Sequence, residues 1–374
     1  VRGRAGGATT VRYNTAVPDA TPTPATPRVE AGRLRALVAR LFVAHGVPAE
    51  DADAVAEVLV EADLRGVESH GTTRVAGYLS MIRLGLLNPR PKVATLRETP
   101  VTALLDGDRG FGILVARRAM ALAMDKARAA GVGCVAVRNV THTGMIGFYP
   151  MMAAAAGLIG LAMNNGPAIL PPFGGTTPTL ATNPIAAAFP SGAEPPIVLD
   201  MATSMVAAGK LRLAAKQGRP IPEGWALDRH GAPTTDPVEA IHHGFLQWAG
   251  GYKGFGLATV IEVLSGVLSG GLFGTDVPPL KTFGRDPLIT SGFYLALDPE
   301  RFLPLAEFRA RVDRLVRQIK ASARARGVVE VLVPGEPEHR CRAARVREGI
   351  PLSGVVLDEL RALAAEAGVA VELD

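Results

Sequence analysis

From Pro48 onward the apolar positions Val55, Val58, Leu59 and Ala62 recur at i, i+3, i+4 and i+7, with Glu50 and Asp51 in the first turn and Gly66 just past the last. This spacing predicts an amphipathic helix closed by glycine. After Ser69-His70-Gly71 the same period restarts at Val75, Tyr78, Leu79, Ile82 and Leu86, predicting a second helix that stops before Asn88-Pro89. Short apolar runs then alternate with helical ones. Strands are expected over 102–105, 133–137, 159–163, 185–189, 197–199, 293–297 and 329–333. Helices are expected over 114–129, 149–156, 204–217, 257–268 (with Val260, Ile261, Leu264 and Leu268 on one side) and 353–367. Apolar strands separated by helices imply an α/β protein whose sheet is buried on both faces. The segment 218–251 carries Gly, Pro and two tryptophans with little periodicity, so it reads as a long irregular excursion that serves function or meets a neighbouring subunit.

A chain of 374 residues with 48% hydrophobic content buries ample core without disulfides or structural metal. Its two cysteines, Cys134 and Cys341, fit a reduced, cytoplasmic protein. The net charge of +5 is modest and the arginines are scattered, which disfavours nucleic acid but suits an anionic ligand. The densest basic stretch, 309–326, places Phe308, Val312, Leu315, Val316 and Ile319 at helical spacing, so its charges form the wet face of an amphipathic helix. No apolar run is long enough for a bilayer span, so a soluble protein is expected. Residues 1–28, rich in Pro, Thr, Ala and Gly, read as a disordered extension outside the fold.

Candidate chemistry sits where apolar segments break. Ser69, His70 and Arg74 lie between the first two helices, where an i, i+4 pair would set a carboxylate-gripping guanidinium beside an imidazole on one face; a capping serine with a surface His and a solvated Arg is the plainer alternative. His142 follows a strand, at the end where α/β proteins bind ligands, or is a loop histidine bonded to its own backbone. Asn183 precedes a proline, which favours extended backbone. Asp200 emerges at a strand end and either caps a helix or orients a catalytic histidine. Lys253 and Gly254 open a helix after two glycines, where free amides meet phosphate or ribose.

Taken together, the run 176–190 (TTPTLATNPIAAAFP), Asp200-Met201-Ala202-Thr203-Ser204, Ser69-His70-Gly71, Thr141-His142-Thr143-Gly144 and Gly250-Gly251-Tyr252-Lys253-Gly254 resemble the malate/L-lactate dehydrogenase family. Its members are nicotinamide-dependent 2-oxo-acid reductases without the usual Rossmann fingerprint, and the resemblance runs from about residue 30 to the C-terminus. It implies an L-sulfolactate dehydrogenase-like α/β fold, with a mixed buried sheet, flanking helices and a non-Rossmann cofactor site. A helical domain of 29–97 plus 300–374 would accompany a sheet-containing, cofactor- and substrate-binding domain of 98–299. The resemblance implies hydride transfer between NAD or NADP and the C2 carbonyl, or cyclic C=N, of a small 2-oxo or imino acid, in a homodimer.

By the same resemblance, His70 is the proton donor, Ser69 and Asp200 position it, and Arg74 and Thr182 bind substrate. His142 stands open between cofactor contact and a second acid/base. Asn183, Asp200, Met201, Ala202, Lys253, Gly254 and the loop Pro334, Gly335 and Glu336 are implied for the cofactor. The chain departs from the family at Thr143 (usually Phe), Ala181 (usually Gly) and Gln247-Trp248-Ala249 (usually Leu-Pro-Leu). Those departures motivate the alternative of a non-catalytic ligand-binding or regulatory homologue. The orthodox fingerprint fails because Gly110-Phe111-Gly112 is followed by Val115, no P-loop or nucleophile-elbow motif occurs, and no metal-ligand spacing is found.

Overall fold

The computed structural model describes residues 26–373. Most of the expected extension 1–28 lies outside them, but its end does not: Arg28 pairs with Pro351, so the fold starts slightly earlier than expected. In chain order the elements begin with β1 (Arg28–Val29), α1 (Ala31–Ala44), α2 (Ala49–Leu64) and α3 (Val75–Arg83). Then come β2 (Ala94–Glu98), β3 (Thr102–Asp106), α4 (Gly112–Ala130), β4 (Val132–Val140), α5 (Phe148–Ala155), β5 (Ile159–Asn164), β6 (Ile185–Phe189) and β7 (Ile197–Met201). The last third holds α6 (Ala208–Lys216), β8 (Ala226–Leu227), β9 (Pro233–Thr234), α7 (Pro237–His242), β10 (Phe245–Leu246), α8 (Tyr252–Glu262) and β11 (Thr290–Leu297). It closes with α9 (Leu305–Lys320), α10 (Glu336–Glu348), β12 (Ile350–Pro351) and α11 (Gly354–Ala367).

The main sheet has seven strands in the order β2-β3-β4-β11-β5-β6-β7. Only β3 and β4 run parallel, joined by the crossover helix α4, so the sheet is mixed. Helix α4 lays Val115, Ala119, Met120, Ala123 and Ala127 on the sheet. Its close approach needs Gly133, where a Cβ would stand 2.1 Å from the Ala123 carbonyl oxygen. A second core gathers Leu37, Leu41, Val55, Leu59, Tyr78, Leu79, Leu357 and Leu360 from α1, α2, α3 and α11.

Several expectations are corrected. Residues 329–333 form no strand: Val329 is 85% exposed, and the segment is held instead by Glu330, which pairs with Lys320 and Arg340. The alternating valines suit a strand, but among the described residues they join no ladder, and the sheet edge is met only by the next residue, whose Pro334 carbonyl accepts the Val198 amide, so propensity found no partner. Helix α6 begins at Ala208, because Ser204 bridges to Trp248. Helix α8 begins at Tyr252 and passes into a π-turn at 263–267. It buries Ala258, Ile261 and Glu262 and leaves Val260 and Leu268 exposed, because a buried polar cluster and not an apolar stripe lies beneath it. The expected irregular excursion is compact: β10, β8 and β9 make a small sheet that packs with α7 around buried Trp248, whose indole donates to the Pro171 carbonyl at 2.8 Å.

Candidate active site

Helix α2 ends at Leu64, and the next residues make two short 3₁₀ turns, Glu68–His70 and Thr72–Arg74, hinged at Gly71. The expected helical i, i+4 face is therefore absent; Arg74 reaches back through its own turn, its Nε donating to the Ser69 carbonyl at 2.6 Å. Ser69 caps nothing, and its hydroxyl lies 2.9 Å from His70 Nδ1. That contact leaves His70 Nε2 as the nitrogen without a protein partner among the described residues.

The turn rests on a residue the sequence reading missed. Asp63 is buried in the last turn of α2, and its Oδ2 accepts the Thr72 amide at 3.0 Å and the Thr72 hydroxyl at 2.6 Å. A Cβ on Gly71 would fall 1.8 Å from Asp63 Oδ1, so only glycine fits there. Arg345 of α10 adds an outer brace, bonding the Asp63 carbonyl and Glu68 Oε1. Burial raises the Asp63 pKa to about 7, against the lowering effect of the Thr72 bonds. The signal was an acidic residue four positions after Leu59, on the same helix face as the apolar Val55, Ala56 and Leu59.

Strand β4 delivers His142 to the same place. The His70 and His142 rings stack at 5.4 Å between centroids with 22° between planes. His142 Nδ1 receives the Gly144 amide at 3.3 Å and lies 2.7 Å from the Tyr78 hydroxyl. An amide only donates, so Nδ1 is the acceptor, Tyr78 donates to it as well, and the ring proton sits on Nε2. Burial, then the charges of His70 and Arg74, holds His142 well below the usual histidine range. Burial, then Arg74, lowers His70 to about 4. Both rings are thus neutral near pH 7, with His142 presenting a fixed N–H donor.

The terminal nitrogens of Arg74 have no protein partner among the described residues, and its guanidinium carbon lies 4.9 Å from the centroid of the Phe283 ring. Burial lowers the Arg74 pKa, and so does the charge of Arg212 on α6. Among the described residues no carboxylate pairs with the guanidinium of either Arg74 or Arg212.

The other expected residues divide. Asp200 lies within β7 and accepts the Gly147 amide at 2.8 Å; it bonds neither histidine, which corrects its expected role of orienting His70. Water reaches this carboxylate from the open side, yet the protein crowded around it raises its pKa to about 6. Met201 pairs with Ile185 as the strand ends, and Ala202 follows half-buried. Thr203 then donates its amide (2.9 Å) and hydroxyl (2.7 Å) to the Thr182 carbonyl, tying Thr182 to that strand end. Gly254 packs beneath the same segment, 2.9 Å from the Thr203 oxygen if it had a Cβ, and Lys253 beside it is exposed and has no ion pair among the described residues.

Asn183 is not extended: its φ is +28°, a conformation asparagine tolerates better than most residues. Its amide nitrogen points inward, bonding Glu262 at 2.6 Å and the Ala258 carbonyl at 2.9 Å, so it serves as a buried strut, while Oδ1 is buried with no partner among the described residues. Glu336 is likewise spent internally, on Lys320, Arg340 and the Val333 amide. Pro334 and Gly335 do approach the Asp200 strand, Gly335 with φ +85° and no room for a Cβ against Val198. Beside these elements opens a cavity of about 670 Å³ whose wall includes Phe148, Met151, Pro190, Arg309 and His339. Arg309 Nε is buried there without a hydrogen-bond partner.

A buried mixed sheet with paired histidines and an unneutralised arginine at its strand ends defines an α/β enzyme acting on a small anion. The profile of the malate/L-lactate dehydrogenase family matches residues 29–361. Malate dehydrogenase of Pyrococcus horikoshii is 40% identical over 349 residues, covering 91% of this chain and 96% of that protein. L-Sulfolactate dehydrogenase of Methanocaldococcus jannaschii is 40% identical over 337 residues, covering 90% and 96%. The solved structure of sulfolactate dehydrogenase from the same organism superposes with a TM-score of 0.87 at 38% identity, covering 92% of this chain and 98% of that one. The chain belongs to the malate/L-lactate dehydrogenase family and is an oxidoreductase with its fold.

Proposed function

We propose that the protein reduces the C2 carbonyl, or cyclic C=N, of a small 2-oxo or imino acid with NADH or NADPH, and runs the reverse oxidation of the 2-hydroxy acid. The observation that carries this reading is the stacked His70–His142 pair beside an Arg74 whose terminal nitrogens are unsatisfied. The Arg74 fork would grip the substrate carboxylate bidentately. His142 Nε2–H would donate to the substrate oxygen and stabilise charge developing there. His70 Nε2 would take the hydroxyl proton in oxidation and return it in reduction, with Ser69 fixing the ring through Nδ1. Positioning the substrate between these groups would contribute much of the rate.

The residues around the cavity fit a dinucleotide. Phe148 and Met151 offer an apolar wall and His339 suits phosphate or ribose oxygens, while Met201, Ala202, Pro334, Gly335 and Lys253 keep the cofactor roles that the family resemblance implies. When bound, the reduced nicotinamide supplies the hydride. We also favour a homodimer in the cytoplasm. Val260, Val263, Val267 and Leu268 leave an apolar stripe on the outer side of α8 and its π-turn, as expected of a covered surface.

The test is nicotinamide absorbance with a panel of 2-oxo acids and their amides. Turnover of the acids and loss of KM discrimination in Arg74→Lys are expected. Equal reduction of the uncharged amides would overturn the carboxylate clamp.

A further inference from the structure

Phe283 touches Tyr78, His142 and Arg74 at once. Its ring packs edge-on against Tyr78 (5.3 Å between centroids) and His142 (5.5 Å), and it lies under the guanidinium of Arg74 at 4.9 Å. The residue arrives from a distant part of the chain, between α8 and β11. Its loop is shaped from within: the Asp286 carboxylate accepts the Lys281 amide at 2.8 Å and the Thr282 amide at 2.7 Å, and the Arg285 amide donates to the Thr282 carbonyl at 3.1 Å. The receiving surface on α3 is shaped too. A Cβ on Gly77 would stand 2.4 and 2.5 Å from two atoms of the Phe283 ring, and one on Gly284 (φ +91°) would stand 2.8 Å from the Gly77 Cα. Glycine is a poor helix former, so its presence inside α3 is explained by the ring it admits.

We propose that Phe283 is a positioning residue for the substrate carboxylate: with the Ser69 carbonyl it fixes the plane of the Arg74 guanidinium, so that the two terminal nitrogens meet the carboxylate as a preformed fork. This rests on the reading of Arg74 as the carboxylate ligand. The physical reason is directional. The Ser69 bond fixes only Nε, and rotation about it would swing the fork out of register. The ring face attracts the cation and restricts that rotation. A preformed fork loses less entropy on binding than a free one.

The experiment measures binding of oxalate, a non-reducible dicarboxylate, to the full chain, by calorimetry. Phe283→Leu keeps an apolar side chain of similar bulk but removes the ring face, and it should weaken oxalate binding about 3- to 30-fold, the range of a cation–π contact. Phe283→Tyr should restore the affinity. Gly77→Ala should reproduce the loss by displacing the ring, while its thermal midpoint reports whether the helix is intact. Binding of NADH, measured in parallel, should be unchanged in all three. If Arg74→Lys weakens oxalate and Phe283→Leu does not, or if Phe283→Tyr fails to recover, the positioning role is overturned and the Arg74 reading stands. If wild type does not bind oxalate, or Arg74→Lys binds as tightly, the underlying reading fails.

Discussion

His70 and His142 stack with 5.4 Å between ring centroids, and each is held neutral by burial and by the charge of Arg74. Two imidazoles without a paired carboxylate form an unusual acid/base device. One is locked as a donor by Tyr78 and Gly144, and the other is free to exchange a proton at Nε2.

The pH profiles of the two directions should diverge. His70 in the free protein titrates near 4, and oxidation needs it neutral whereas reduction needs it protonated. Accordingly, kcat/KM for 2-hydroxy-acid oxidation should stay level above about pH 5 and fall below it. For reduction, kcat/KM should drop roughly tenfold per unit as pH rises above that pKa, because the protonated fraction does. Parallel profiles in both directions would remove His70 from the proton transfer.

Tyr78→Phe deletes the stronger of the two donors that fix the His142 tautomer. Loss of one such bond corresponds to about a tenfold fall in kcat. KM for the carboxylate substrate should change little, since Arg74 keeps its Ser69 bond. A rise in KM with constant kcat would place His142 in ground-state binding instead.

Asp63 links the site to stability. Its folded pKa of about 7 lies above its unfolded value, so the folded state holds the proton more tightly. Stability from this group is complete below about pH 4 and is lost as pH climbs to about 7, a change on the order of 4 kcal/mol. Thermal midpoints from acid to neutral pH should show wild type losing more stability than Asp63→Asn over that window. Equal slopes would mean that the carboxyl titrates alike in the folded and unfolded states and that burial does not raise its pKa.

The unneutralised pair Arg74 and Arg212 should favour doubly charged substrates. Oxaloacetate is then expected to exceed pyruvate in kcat/KM, and Arg212→Ala should shrink that ratio about tenfold, the scale of one charge-assisted contact. An unchanged ratio would show that the second charge does not meet substrate.

Much of this was legible in the sequence, and the exceptions share a cause. Elements whose apolar period meets a real partner, such as α2 and β6, were placed to within a residue or two. The 329–333 run failed because its valines have no ladder to join, and α8 was misread because Glu262, Asn183 and Asn165 make a polar cluster beneath it. At the site, Ser69, His70, Arg74 and His142 were readable and converge. Asn183 and Glu336 were not separable from true ligands, because only tertiary packing shows the Asn183 amide nitrogen and the Glu336 carboxylate bonded inside the protein. Asp63 and Phe283 were missed outright: each acts across a gap in sequence that no periodicity spans.

The most direct measurement is nicotinamide turnover by His70→Ala, with cofactor binding measured on the same sample. Wild type should consume NADH or NADPH with a 2-oxo acid, and the variant should lose at least about 100-fold while still binding the nicotinamide. Undiminished turnover in His70→Ala would contradict the account.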